Sequence, residues 1–278
     1  LDTKEEDFVT QFLTASTHSD LLFFTDRGKA YQIKMYDIPE GKRATRGKSI
    51  MNFLSLSEGE RVTSILPIPK NVKENKDLSL LMITSDGVGK RVSAGSFHDV
   101  RTSGIIAIKL QDRDKLVSVS PVEKGDSCIL VTAKGQSIRF KESDVREMGR
   151  QAGGVRTIKL DKGDHIIGAH RVKKSAESTA HILVVGANGY GKKTIISEYK
   201  IQKRGGSGIK TASVTAKTGE IIASAVVTGE EEEAVAMSKK SQVIRLALSE
   251  IPSLGRSTQG VRIMKLRDGD FIASFICL

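Results

Sequence analysis

The chain alternates apolar and polar residues at period two over many short stretches, and one kind of stretch occurs six times. Near its start an acidic residue precedes an apolar stretch, as in EDFVTQFLTA from Glu6, GERVTSILPI from Gly59 and GDFIASFICL from Gly269. The remaining copies start at Arg113, Gly163 and Gly219. Period-two alternation is typical of β-strands with one buried face. A repeat of roughly 50 residues that holds several such strands predicts the blades of a propeller-like ring.

Two glycine positions return with the same period and divide each repeat into strands. A turn glycine follows an apolar strand at Gly28, Gly87, Gly135 and Gly189, with Ser241 in its place in the fifth repeat. A second glycine opens another alternating stretch at Gly47, Gly104, Gly154, Gly208 and Gly260. We therefore predict an all-β chain in which each repeat supplies an apolar strand, a glycine turn, a second strand, a long loop and two more strands. The recurrent acidic residue is expected to form hydrogen bonds at a turn or between blades.

Lysine and arginine outnumber aspartate and glutamate by 44 to 33, which gives a net charge of +11 and indicates a polyanionic partner. The cations return in the second strand of each repeat and in the long loop behind it, and long loops on a rigid scaffold often carry binding residues. We expect them to form a basic band that contacts the polyanion. Its members are Lys42, Arg43, Arg46, Lys48, Lys90, Arg91, Arg101, Arg139, Arg146, Arg150, Lys192, Lys193, Lys210 and Arg256.

Unbroken periodicity predicts one domain over residues 1–278. No apolar run is long enough for a membrane span or a secretion signal, so we expect no membrane partner. Cys128 and Cys277 each lie inside an apolar stretch, which fits a reducing, cytoplasmic setting. The five histidines lack the spacing of metal ligands, and no nucleophile or carboxylate pair forms a catalytic pattern. We therefore expect a non-catalytic domain without a cofactor or metal of its own.

One segment approaches the phosphate-binding P-loop pattern without completing it. Residues 186–193 read GANGYGKK, so Lys193 stands where the motif requires a serine or threonine. The residues that follow, TIISEY, predict a strand where the motif requires a helix. We expect a hairpin turn here and no nucleotide site.

Several blade segments together resemble a known family. TDRGKAYQIKMYDIP, RFKESDVREMGRQAGGVRTIKL, GANGYGKKT and LSEIPSLGRSTQGVRIMKL are similar, in family order, to the C-terminal domain of DNA gyrase A subunits over essentially the whole chain. The resemblance implies a six-bladed β-pinwheel, with the first blade truncated in this chain. It also implies a positive outer rim that wraps double-stranded DNA largely without sequence preference, so that strand passage introduces negative supercoils.

The same resemblance implies a place in a larger enzyme. The domain would act in an A2B2 assembly with the remainder of the gyrase A subunit, together with the gyrase B subunit, in the bacterial cytoplasm at the nucleoid. ATP and Mg²⁺ would be used elsewhere in that enzyme and not in this domain.

The family carries a diagnostic box, Q-[KR]-[KR]-G-G-x-G, in a loop of its first blade. Residues 202–208 read QKRGGSG and match the box in residue type, but they lie in the penultimate full repeat. Adjacent cations can contact phosphates, and glycines let backbone N–H groups approach them closely. We therefore add a second set of predicted DNA-binding residues. These are Gln202, Lys203, Arg204, Gly205, Gly206 and Gly208.

Two alternatives stay open at this point. The homologous C-terminal domain of the topoisomerase IV ParC subunit is built from the same blades and would select substrate geometry without strong wrapping. A propeller-type protein-interaction module with an incidental basic rim is the other alternative. It predicts salt-insensitive binding and an aromatic-rich face, whereas the chain has no tryptophan and only 5% aromatic residues.

Overall fold

The computed structural model describes residues 9–11, 13–41, 47–69 and 71–278, and their regular structure is almost entirely β-strand, as predicted. The strands are β1 (Asp20–Thr25), β2 (Lys29–Lys34), β3 (Val62–Ile68), β4 (Ser79–Thr84), β5 (Val88–Ser93), β6 (Ile105–Ile106), β7 (Leu116–Val122), β8 (Ser127–Thr132), β9 (Gln136–Lys141), β10 (Val155–Arg156), β11 (Ile166–Val172), β12 (His181–Gly186), β13 (Tyr190–Ile195), β14 (Ile209–Lys210), β15 (Ile221–Val227), β16 (Glu233–Ser238), β17 (Val243–Ala247), β18 (Val261–Arg262) and β19 (Ile272–Cys277). Short 3-10 helices lie at Met35–Asp37, Ile50–Asn52, Ala94–Phe97, Glu142–Asp144, Lys174–Ala176, Ile196–Glu198 and Leu248–Glu250. No helix among these residues is long and apolar enough to cross a membrane.

The described strands form five antiparallel sheets, which we call blades 1 to 5. Their strand orders are β3-β1-β2-β6, β10-β5-β4-β7, β11-β8-β9-β14, β15-β12-β13-β18 and β17-β16-β19. We predicted six blades, whereas the described residues form five. Each blade is centred on one hairpin, and the described repeats contain five such hairpins. The sixth acidic stretch begins at Glu6, outside the described residues, so the truncated extra blade stays a prediction.

The fourth strand of a blade comes from the following repeat, which corrects the expectation that each repeat forms its own four strands. In blade 1 this donated strand is β6, and Ile105 and Ile106 pair with Ala30 and Lys29 of β2. Strands β10, β14 and β18 pair in the same way with β5, β9 and β13. Successive repeats are thereby interlocked through backbone hydrogen bonds.

The described residues divide into two compact units. The first unit contains residues 13–124 and 145–157, and therefore blades 1 and 2. Its core includes Leu22, Phe24, Met82 and Phe97, and the rings of Phe24 and Phe97 meet edge to face with centroids 5.5 Å apart. The expectation of one domain over residues 1–278 stays a prediction.

The second unit contains residues 125–144 and 158–278, and therefore blades 3 to 5. Strand β12 is buried on both faces. Ile182 and Val184 pack into one apolar cluster with strands of blade 3, while Leu183 and Val185 pack into another with blade 5. A central strand that is covered on both sides has no polar face, which explains its continuous apolar run, HILVVG.

In three blades the recurrent acidic residue hydrogen-bonds to the hairpin turn of its own blade, as predicted. The Asp114 carboxylate accepts from the backbone N–H of Asp86 at 3.0 Å, and Asp164 accepts in the same way from Lys134 at 3.0 Å. In blade 5 the equivalent bond runs from the N–H of Lys240 to Asp270, also at 3.0 Å. The carboxylate thus satisfies turn donors that no strand pairs.

The P-loop-like segment is a hairpin, also as predicted. Strand β13 begins at Tyr190 and pairs with β12 through Val185↔Gly191 and the positions that follow. The residues that a nucleotide site would place on a helix are therefore in a sheet.

Candidate nucleic-acid interface

Each donated strand is preceded by a long loop that returns from the 3-10 helix to the preceding blade. We call these the connecting loops, and they are residues 98–104, 145–154, 199–208 and 251–260. Three of them are held to the second strand of that blade by equivalent backbone bonds of 2.8 Å. The bonds run from Met148 N to Arg91 O, from Gln202 N to Arg139 O and from Leu254 N to Lys193 O. These three loops, which carry Arg146, Arg150, Lys203, Arg204 and Arg256, are therefore anchored, and the box-like loop 202–208 is one of them.

Arg91 and Lys193, whose carbonyls accept two of these backbone bonds, also form hydrogen bonds through their side chains. Arg91 Nε donates to Val145 O at 2.6 Å, and Lys193 Nζ donates to Leu248 O at 2.6 Å. Both side chains are half-buried. A cation that donates to a carbonyl keeps its charge, so Arg91 and Lys193 still contribute to the field at the surface.

Arg139 lies at the same position in blade 3 and is 5% exposed. Its Nε donates to Ser127 Oγ at 2.9 Å, its Nη1 donates to Tyr199 O at 3.3 Å, and its Nη2 forms an ion pair with Glu177. The expectation that Arg139 belongs to an exposed band is wrong, because its donors face protein acceptors and almost none of its surface is open.

Lys90 and Lys192 are also wrongly predicted as exposed cations, with 0% and 1% of their surface open. Lys90 Nζ donates to backbone carbonyls of loop 145–154, and Lys192 Nζ does the same in loop 251–260. Burial lowers the pKa of each ammonium to about 8. Neither side chain can reach a phosphate from this position.

The remaining predicted cations lie at or near the surface. Arg150 and Arg256 are half-buried, and Arg256 Nε lies 3.8 Å from the Glu198 carboxylate. The exposed ones are Lys48, Arg101, Arg146, Lys203, Arg204 and Lys210. Lys42, Arg43 and Arg46 fall outside the described residues.

The glycines of the box-like loop have distinct conformations. Gly205 and Gly208 have φ of 84° and 73°, in the left-handed region that glycine tolerates best. Gly206 does not have positive φ, and its carbonyl accepts from the N–H of Lys159 at 2.8 Å. Gln202 is half-buried beside them. The loop presents Lys203 and Arg204 to solvent, and Arg204 Nε also donates to Asp144 O at 2.7 Å.

Sequence reasoning missed two further sets of repeated cations. Each donated strand of blades 2 to 4 ends in an exposed basic residue, of which only Lys210 was predicted. The members are Arg156, Lys210 and Arg262. A second set of exposed lysines lies three residues after the ends of donated strands. Its members are Lys109, Lys159 and Lys265. The repeated motif GVRTIKL, GIKTASV and GVRIMKL carries the signal that could have revealed them.

The comparisons with known proteins agree with this architecture. A family model described as DNA gyrase C-terminal domain, beta-propeller, matches residues 19–69, 79–123, 126–173, 180–228 and 232–278. These five segments coincide with the five hairpins and their partner strands. Interlocked antiparallel blades with basic connecting loops define the chain as a β-propeller repeat domain.

The chain belongs to the family of DNA gyrase A C-terminal domains. It is 39% identical over 274 residues to the DNA gyrase A subunit of Staphylococcus epidermidis (strain ATCC 12228 / FDA PCI 1200), covering 99% of this chain and 30% of that protein. The chain thus spans about a third or less of the length of the curated relatives that it matches.

Two solved structures resemble it over nearly its whole length. A DNA gyrase A C-terminal domain has a TM-score of 0.78 at 28% identity, covering 95% of this chain and 84% of that one. The C-terminal domain of a DNA topoisomerase IV has a TM-score of 0.86 at 21% identity, covering 100% and 84%. At that identity the second likeness shows the fold alone.

Proposed function

We propose that this chain is a DNA-binding and DNA-wrapping domain of a gyrase A subunit. The observation that carries the proposal is the return of exposed cations on the connecting loops and at the ends of the donated strands in successive blades. Arg146 and Lys203 lie on connecting loops, and Arg156, Lys210 and Arg262 end donated strands. Repeated cations on anchored backbone suit a regular polyanion, and contacts to phosphates position DNA without reading its sequence.

Wrapping requires many such contacts. Bending duplex DNA by 40–90° over a short site costs about 1–6 kcal/mol, so a larger wrap needs contributions from several blades. The two repeated sets on loops and donated strands supply cations in each of blades 2, 3 and 4. The wrapped segment would then be presented to the strand-passing part of the enzyme.

The rest of the enzyme lies outside this chain. Gyrase A and B subunits in an A2B2 assembly would provide strand cleavage and ATP hydrolysis with Mg²⁺, in the bacterial cytoplasm at the nucleoid. The domain itself would be non-catalytic and would need no cofactor.

A ligation experiment on nicked circular DNA tests wrapping directly. The domain is added to the nicked circle, the nick is sealed, and the protein is removed before the linking number is measured. We expect a shift of one sign that grows with the amount of domain, because a wrap of fixed handedness stores writhe. The variant Arg146→Ala with Lys203→Ala should give a smaller shift. Binding without any shift in linking number would contradict wrapping and would leave only DNA binding.

Topoisomerase IV is the second candidate, since its C-terminal domain shares this fold and the fold alone does not separate the two enzymes. The two candidates differ in the whole enzyme. If the chain belongs to a gyrase, removal of the domain should abolish negative supercoiling and retain relaxation. If it belongs to a topoisomerase IV, removal should change the preference among DNA substrates instead. The sequence relatives, which are gyrase A subunits, favour the first outcome.

The box-like loop yields a separate prediction. Changing Lys203 and Arg204 to alanine should weaken DNA binding modestly and leave supercoiling by the whole enzyme largely intact. The reason is that loop 202–208 is anchored as an ordinary connecting loop, equivalent to 148–154 and 254–260. A supercoiling assay on the double variant measures this, with relaxation and cleavage as controls. Complete loss of supercoiling with both controls retained would identify the loop as the functional box.

A further inference from the structure

Lys90 makes three hydrogen bonds to one connecting loop from inside blade 2. Its Nζ donates to Gly149 O at 3.0 Å, to Ala152 O at 2.9 Å, and also to Arg150 O. An ammonium group has three N–H donors, so every donor is used on loop 145–154. The side chain therefore fixes the turn of backbone that carries Arg150 and adjoins Arg146.

Lys192 repeats this arrangement in blade 4. Its Nζ donates to Gly255 O at 2.6 Å, to Arg256 O at 2.7 Å and to Thr258 Oγ1 at 3.1 Å. All three acceptors lie on loop 251–260. The same hydrogen bonds at the same hairpin position in two blades indicate that both lysines hold their connecting loops.

The two lysines occupy a position that packing alone would fill with an apolar side chain. In the hairpin register Lys90 faces Met82 and Lys192 faces Val184. The corresponding residue is Ile138 in blade 3, where it is fully buried opposite Leu130. Burying a cation costs free energy unless its donors are satisfied. Packing of the core does not require a charged side chain here, so the charge is explained by its hydrogen bonds to the connecting loop.

The loop arginine and the buried ammonium interact electrostatically. The pKa of Lys90 is lowered first by burial and then by the charge of Arg150. For Lys192 burial again comes first, while Glu198 raises the pKa and Arg256 lowers it. The two like charges of each pair repel each other, and the three hydrogen bonds hold the loop in place despite that repulsion.

We infer that Lys90 and Lys192 are positioning residues for DNA: each holds its connecting loop in the conformation that presents the loop arginines to the duplex, without touching DNA itself. The inference rests on the proposed function. It assigns two DNA-relevant positions to the interior of the blades. It also distinguishes these two loops from loop 202–208, where the corresponding residue Ile138 has no N–H donors in its side chain.

The test uses Lys90→Met and Lys192→Met, which keep side-chain length and remove the donors. Lys124→Met is the matched control, because Lys124 is exposed and its loss changes net charge equally. Duplex binding is measured over a range of salt for each protein. We expect about tenfold weaker binding at low salt for each interior variant and a salt slope smaller by about 1 to 2, since misplaced arginines release fewer counterions. The control should match the unaltered domain.

Hydrogen exchange separates positioning from unfolding. In Lys90→Met the amides of residues 148–152 should exchange faster, while those of β4 and β5 keep their protection. Thermal stability should fall only modestly, because the three loop carbonyls that lose the ammonium turn to water while methionine keeps the blade core filled. General loss of protection would show that the variant unfolds, and the pH comparison on the unaltered domain then decides.

Raising the pH removes one N–H donor from each lysine without any substitution. Between pH 7 and pH 9 the unaltered domain should lose affinity for DNA, and the double variant Lys90→Met with Lys192→Met should lose much less. In a variant that already carries Arg146→Ala and Arg150→Ala, Lys90→Met should have little further effect on DNA affinity. The arginines that Lys90 positions are then absent, so the effects of the substitutions do not add.

The outcomes are distinguishable. If the unaltered domain binds no duplex DNA, the proposed function fails together with the inference. If it binds, and both methionine variants retain its affinity, salt slope and pH dependence, the inference alone is overturned. Weaker binding by the variants with an unchanged slope would also contradict it, because the arginines would still be in place.

Discussion

Duplex DNA binding by this domain is expected to weaken about a thousandfold between about 50 mM and 200 mM salt. Six phosphate contacts would give a slope of log K against log salt near −5. The exposed cations on the loops and donated strands are numerous enough for this, and among them are Arg146, Lys203, Arg156, Lys210 and Arg262. Affinity for duplexes of unrelated sequence should be nearly equal, because phosphate contacts carry no sequence information.

Binding isotherms at several salt concentrations measure the slope. A variant with Arg146→Ala and Arg156→Ala should reduce its magnitude by about 2. Its thermal stability should change little, since exposed substitutions usually alter stability by less than about 0.5 kcal/mol. A slope near zero in the unaltered domain would favour the protein-interaction module over the DNA-binding domain.

The five hairpins could be predicted from the sequence because their signals are local. An apolar strand, a turn glycine such as Gly87 and a second strand together fix which residues pair. The donated strands could not be predicted in this way. Val155 pairs with Gly89 of the preceding repeat, and nothing in the neighbouring residues separates that pairing from one within its own repeat.

The candidate site was predictable in part. Loop cations such as Arg146 are exposed as expected, whereas Lys90 and Lys192 are buried. Charge predicts exposure on average, but a lysine with acceptors for all three donors is an exception. The equivalent residue Ile138 is apolar, so comparison across the repeats carried a signal that the residue type alone did not.

Gly208→Ala should be strongly destabilising, by about 3 kcal/mol or more. A Cβ at this position would lie 2.2 Å from Ser137 O, and the φ of 73° is strained for any residue with a side chain. Relief would require β14 to leave β9, where Ile209 pairs with Ser137. Denaturant unfolding of the variant measures the loss, and faster exchange of the β9 amides would locate it.

Gly206→Ala is the matched control in the same loop. Its Cβ would meet no atom closer than 3.8 Å, and its φ is not positive, so stability should change by less than about 0.5 kcal/mol. The box pattern requires glycine at both positions, whereas folding requires it at Gly208. If Gly206→Ala weakens DNA binding without loss of stability, glycine serves there for close approach of the backbone to phosphate. Equal destabilisation by both changes would contradict this division of roles.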